Sequence, residues 1–188
     1  MTLLVTTQSY LKGKPTQHGF LLEIDESSGQ ILQKIQFPTP TESINGRIKP
    51  GLRGICYWDG FYYVATWNKI FILNSDLEIM DSDISHKWMS DIHGIDVNSD
   101  GIWVTSTLLD SLVLYDFKGE PKSTFWISES NLYPKRVNID KDLDWRHYGK
   151  NFSGSNYFHI NNVKVDSNDI YITGKANRGK GCIIKIQK

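Results

Sequence analysis

With 188 residues the chain is long enough to bury a sizeable core, either as one domain or as part of a larger ring. Its 21 basic and 21 acidic side chains cancel to a formal charge of zero, so overall charge offers nothing to a nucleic acid or a membrane surface. The opening Met1-Thr2-Leu3-Leu4-Val5 carries no basic segment followed by a long apolar run, and no stretch approaches the ~18 apolar residues of a membrane span, which predicts a cytoplasmic protein. The two cysteines, Cys56 and Cys182, fall within apolar strand patterns and read as reduced, buried thiols.

Aromatic, β-branched and turn residues dominate, and the apolar pattern alternates with period two, not with the period of a helix. Along residues 1–38, strands are expected at Leu4 to Thr6, Gly19 to Ile24 and Gln30 to Phe37. The next unit, 51–85, opens on Arg53-Gly54-Ile55 and continues through Val64-Ala65-Thr66, Lys69 to Leu73 and Leu77 to Met80. A third unit, 91–127, repeats it from His93-Gly94-Ile95 through Trp103-Val104-Thr105, Leu112 to Tyr115 and Ser123 to Ile127. The last, 158–188, runs from Asn161-Asn162-Val163 through Tyr171-Ile172-Thr173 to Cys182 to Ile186. Superposed on their first residues, the last three units each place an aromatic ten positions on, then Val or Ile, then Ala or Thr.

Arg53 and His93 are 40 residues apart, and His93 and Asn161 are 68 apart, one period plus about 28 inserted residues. Short antiparallel strands at this period predict an all-β propeller of about four blades, three to four strands each, in a single domain spanning 1–188. The first unit lacks an innermost strand and the last lacks an outer one. Open edges recruit a partner, so the pattern also predicts a second chain, as a homodimer or a complementary half of a longer or split propeller; the competing reading is a small four-bladed ring with two three-stranded blades.

Loops sort onto two faces. One receives Lys12, Lys14, Arg47, Lys49, Arg53, Lys135, Arg136, Lys141, Arg146, Lys150, Lys175, Arg178 and Lys180; the other is rich in aspartate turns such as Asp25, Asp59, Asp76, Asp116 and Asp166. A basic mouth favours a small anionic ligand, whereas the acidic turns are equally what turn chemistry selects. The insertion 128–157 carries Tyr133, Trp145, Tyr148, Phe152 and Tyr157, too aromatic for disorder, and is read as a folded flap over the channel that brings Trp145 and Arg146 toward the ligand, the competing reading being an interface element that covers an open edge.

The first residue of each unit starts a strand along the axis, so Arg53, His93 and Asn161 are expected to converge at the channel mouth. There Arg53 would clamp an anion, His93 would be the candidate proton-transfer group, and Asn161 would orient a polar group. Asp91, two residues before His93, is a candidate orienting partner, and His159 falls on the same face. The competing reading is a set of side chains that bond one another and fill a polar channel.

Asn161-Asn162-Val163, with Asp166 and the strand Ile170-Tyr171-Ile172-Thr173, resembles the PNGI-x-VDxxGxxYVT signature of the NHL and gluconolactonase-like propellers. His93-Gly94-Ile95 is similar to the HGI segment of paraoxonase-type lactonases. The resemblance implies an axial Glu, Asn and Asp set holding a divalent cation such as calcium, which polarises a lactone carbonyl. Of that set only Asn161 matches, with His93 in the place of the paraoxonase histidine, and Arg53 stands where another ligand would be. A lactonase-like hydrolase and a scaffold for protein partners are therefore the alternatives to anion binding.

Overall fold

The structure, a computed structural model, describes residues 1–8, 18–38, 51–132, 138–148, 158–175 and 180–187. Fourteen strands among these residues form four antiparallel sheets. The first sheet comprises β1 (Thr2–Thr7), β2 (His18–Asp25) and β3 (Ile31–Pro38). The second comprises β4 (Ile55–Trp58), β5 (Phe61–Ala65), β6 (Ile70–Leu73) and β7 (Ile79–Ile84). The third comprises β8 (Ile92–Asn98), β9 (Gly101–Ser106), β10 (Ser111–Tyr115) and β11 (Pro121–Trp126). The fourth comprises β12 (Asn162–Val165), β13 (Asp169–Lys175) and β14 (Gly181–Gln187). This is the all-β, propeller-like arrangement that the repeat predicts, including the three-stranded first and last sheets.

Local sequence explains the hairpins. Trp58 pairs with Phe61 across the two-residue loop Asp59-Gly60. Both loop residues have positive φ, the type I′ geometry that matches strand twist. Asn74 and Asp116 occupy the same turn in consecutive sheets. Asn74 Oδ1 accepts from the backbone N–H groups of Asp76 and Glu78, and Asp116 Oδ1 from those of Lys118 and Glu120. Asp25 does likewise with Ser27 and Ser28, and the Ser27 hydroxyl foremost among these bonds lowers its carboxyl to about 2. Several acidic residues of the second face thus act in their own turns.

Each pair of consecutive sheets encloses an apolar cluster. Leu21, Phe37, Val64 and Leu73 join the first to the second; Ala65, Ile84, Val97 and Val113 join the second to the third; Trp103, Leu112, Val163 and Ile172 join the third to the fourth. Each fully buried Leu, Ile or Val contributes about 1.5–3 kcal/mol, so these clusters hold the sheets in order. Strand β8 lies against both β4 and β12. The approach is close because glycine stands second in two of the units. A Cβ on Gly54 would lie 3.1 Å from Ile95 N, and one on Gly94 would lie 2.6 Å from Asn162 Cα. The small residue after Arg53 and His93 is what lets neighbouring axial strands nest.

Cys56 and Cys182 are free, and they are half-buried instead of fully enclosed. No helix among the described residues is long and apolar enough to cross a membrane.

Candidate functional site

Arg53, His93 and Asn161 meet. Arg53 Nη1 lies 2.8 Å from His93 Nε2, and His93 Nδ1 lies 3.1 Å from Asn161 Oδ1, so three sheets contribute to one chain of contacts. Asp91 joins it, with Oδ1 3.2 Å from His93 Nε2 and 3.4 Å from Arg53 Nη2. The Gln8 carboxamide, turned so that its oxygen faces the guanidinium, accepts from Arg53 Nε at 2.8 Å and Nη1 at 3.2 Å. The His159 ring stands edge-to-face on His93, with centroids 5.0 Å apart.

A guanidinium can only donate. His93 Nε2 faces opposed partners, the Arg53 donor at 2.8 Å and the Asp91 Oδ1 acceptor at 3.2 Å; the shorter Arg53 contact, together with the Asn161 Oδ1 acceptor at Nδ1, favours the proton on Nδ1. Both His93 nitrogens are thus engaged, and its side chain is the member of the trio with Arg53 and Asp91 that solvent reaches, at 18% exposure against 3% and 0%. Burial pulls the Arg53 guanidinium below its ordinary pKa while Asp91 opposes the shift. The pair is charge-balanced and enclosed.

Two features of this cluster bear on what it can bind. Asp91 and His159 both have left-handed backbones, φ 49° and 45°, a conformation costly for residues with a Cβ and concentrated at functional sites. In addition, Trp67 Nε1 is a buried donor without a hydrogen-bond acceptor, with the Arg53 guanidinium over its ring at 5.6 Å, and Arg53 Nη2 is buried with only the longer 3.4 Å ion-pair contact to Asp91 Oδ1. Buried polar groups normally find partners. An acceptor atom brought to either would complete it.

Sequence reasoning missed what holds His159 in place. Asp110, fully buried with φ 44°, accepts from Phe158 N at 2.9 Å through Oδ2 and from Ile160 N at 3.3 Å through Oδ1. Thr107 Oγ1 donates to the Ile160 carbonyl. Both backbone neighbours of His159 are therefore clamped to the turn between β9 and β10. Gln8 and Trp67 were missed too. None of the three lies at a repeated position, so no alignment of units could single them out.

Trp145 and Arg146 make their contacts elsewhere. Trp145 is buried against Leu108, Leu109 and Ile139, and its indole N–H donates to the Asp140 carbonyl at 2.7 Å. Arg146 forms a forked ion pair with Asp144, its carbonyl accepts from Asn68 Nδ2 at 3.0 Å, and the Arg146 bonds hold the Asp144 carboxyl below its usual range. The described part of the insertion is folded, as expected, but it is seated on the turn after β9 and the passage before β8. Tyr133, Phe152 and Tyr157 lie outside the described residues. So do the rim residues Lys12, Lys14, Arg47, Lys49, Lys135, Arg136, Lys150 and Arg178. A separate 310 Å³ cavity opens between the first two sheets, lined by Thr2, Glu23, Gln33, Tyr62 and Asp76, and shares no lining residue with the axial cluster.

Four antiparallel sheets, with Arg53, His93 and Asn161 meeting at the starts of three of them, define a propeller-like scaffold. No family model matches the chain, and no curated protein matches its sequence. Among solved structures it is similar to Kuenenia stuttgartiensis hydrazine synthase, with TM-score 0.54 at 10% identity over 95% of this chain and 49% of that one. It is also similar to Myxococcus xanthus glutaminyl cyclase (TM-score 0.47, 12% identity, 91% and 70% covered) and to a streptogramin B lyase (TM-score 0.39, 12% identity, 100% and 88% covered). The chain spans about half the length of the hydrazine synthase chain. At this identity the likeness is one of fold alone.

Proposed function

We propose that the chain binds a small anionic molecule at the axial mouth, through Arg53, His93 and Asn161, with Asp91 and His159 shaping the site. The observation that carries this reading is the convergent trio with two under-satisfied buried donors beside it, Trp67 Nε1 without an acceptor and Arg53 Nη2 with only a 3.4 Å contact to Asp91. A carboxylate, phosphate or sulfate oxygen supplies the missing acceptor, and charge-assisted bonds to a guanidinium are the stronger kind. His93 then serves as the solvent-facing contact, and proton transfer from it requires the ligand to displace one of its two partners. The repeat pattern shared with NHL and gluconolactonase-like propellers supports membership of that superfamily and the same placement of the site.

The lactonase-like alternative is weaker on chemistry. Asn161 Oδ1, the carried-over cation ligand, faces His93 Nδ1, and the adjacent nitrogen of that ring faces a guanidinium. Among the described residues no three His, Cys, Asp or Glu side chains are grouped to hold a metal. The axial residues therefore do not fit a divalent cation.

Thermal unfolding in the presence of acetate, phosphate, sulfate and citrate tests the proposal. At least one anion stabilises the chain, by about 2.7 kcal/mol at a concentration one hundred times its Kd, and the effect disappears in His93→Ala and Asn161→Ala. Equal stabilisation of wild type and both variants, or none by any anion, overturns it.

A further inference from the structure

One nitrogen of His93 faces two partners of opposite kind. Arg53 Nη1, which can only donate, lies 2.8 Å from Nε2, and the carboxylate oxygen Asp91 Oδ1, which can only accept, lies 3.2 Å from the same atom. A neutral ring with its proton on Nδ1 satisfies the first partner and leaves the second unmet. A ring protonated on both nitrogens satisfies the second and repels the first. The other nitrogen takes no part in the choice, because Nδ1–H donates to Asn161 Oδ1 at 3.1 Å in either form. The two forms of the ring therefore differ in which neighbour Nε2 holds.

That choice decides how much of Arg53 is open to a ligand. With the neutral ring, Nη1 is spent on His93 and only Nη2, with its 3.4 Å contact to Asp91, is under-used. With the protonated ring, Asp91 Oδ1 accepts from Nε2–H and Nη1 is released. The Gln8 oxygen, at 2.8 Å from Nε and 3.2 Å from Nη1, keeps the guanidinium in place. Both terminal nitrogens then meet an anion as a fork, beside an imidazolium. His93 is also where a proton can arrive, its side chain being reached by solvent while Arg53 and Asp91 are enclosed. Among the described residues, the charged and titratable groups that face the ring are Arg53 from the second sheet, Asp91 before its own strand, and His159 from the fourth sheet. Arg53 repels a cationic ring and Asp91 attracts it, so an added anion tips the balance toward the cation.

Building on the anion-binding reading above, we infer that the axial site takes up its anion together with a proton on His93, so that affinity for the anion is highest at acid pH and falls as pH rises. The proton frees the second guanidinium nitrogen, and the anion stabilises the charge that the proton brings. By linkage each strengthens the binding of the other by the same factor. Once the ring is mostly neutral, the anion must bring the proton with it, and its Kd rises by about tenfold per pH unit.

Acetate and sulfate keep their charge above about pH 6, so they serve as probes in NMR titrations of the full chain between about pH 6 and pH 9, read at the Trp67 indole N–H and the ¹⁵N shifts of the His93 ring. The Kd should rise with pH, and at one fixed pH added anion should increase the protonated share of His93. The pH dependence should vanish in His93→Gln, whose side chain does not titrate, and persist in His159→Gln. A Kd that is flat or falls with rising pH, or a His93 ring whose protonated share the anion leaves unchanged, overturns the inference while the anion site stands. Loss of the pH dependence in His159→Gln with its retention in His93→Gln overturns it as well, by placing the proton on the other ring. No movement of Trp67 with either anion at any pH overturns the anion site and the inference together.

Discussion

Arg53 Nη1 lies 2.8 Å from His93 Nε2, joining the first residues of two units that stand 40 positions apart in sequence. Arginine has no acceptor, and this contact is shorter than the 3.2 Å approach of the Asp91 Oδ1 acceptor to the same nitrogen, so with Asn161 Oδ1 at Nδ1 the contacts favour a ring proton on Nδ1. Long-range ¹⁵N correlation spectra should show a pyridine-type Nε2 and a protonated Nδ1. In Asn161→Ala the acceptor for Nδ1–H is gone, and the spectrum should move toward the mixture of tautomers of a free imidazole. A proton on Nε2 in the neutral wild-type ring would contradict the assignment.

The buried Arg53 and Asp91 pair should behave asymmetrically on mutation. Arg53→Met leaves the fully buried Asp91 carboxylate without its guanidinium and should cost about 3–5 kcal/mol in denaturant unfolding. Adding Asp91→Asn removes the stranded charge while keeping a residue that tolerates left-handed backbone, and should recover a large part of that loss. A double variant no more stable than the single one would show that the ion pair is not the source of the cost.

Gly94 should tolerate no side chain. A Cβ there meets Asn162 Oδ1 at 2.5 Å and Asn162 Cα at 2.6 Å, so Gly94→Ala must push two axial strands apart, at about 1–3 kcal/mol. Gly181, around which nothing lies within 4 Å of the added carbon, is the control. Gly181→Ala should stay within about 0.5 kcal/mol of wild type.

Trp145 should matter for stability and not for the axial cluster. Trp145→Ala empties a site lined by Leu108, Leu109 and Ile139 and should cost about 3–5 kcal/mol. The ring resonances of His93 should stay in place, because its partners are Arg53, Asp91 and Asn161. Displacement of those resonances would mean that the insertion reaches the axis.

These outcomes follow the boundary between what a repeat exposes and what it hides. Arg53, His93 and Asn161 were legible because each opens a unit, and superposing units places them at one radius from the axis. The strands were legible for the same reason, since alternation with turn residues at a fixed period leaves few other solutions. Trp145 and Arg146 could not be placed by alignment because an insertion has no sister unit, and an aromatic in a long loop can turn to a ligand or, as Trp145 does, to a core. Asp110 was hidden because its work, a carboxylate bonding two backbone amides some fifty residues away, depends on a left-handed backbone that composition does not announce. The acidic face read as an electrostatic feature, yet Asp25 and Asp116 are occupied by their own turns.

The account stands most directly on whether an anion reaches the axial donors. The measurement is an NMR titration with inorganic phosphate and citrate that follows the indole N–H of Trp67 and Trp145 together with the His93 ring. Shared saturation of Trp67 and His93, with Trp145 unmoved, is the result predicted. Shifts confined to Trp145, or no shift of Trp67 and His93 with either anion, would contradict it.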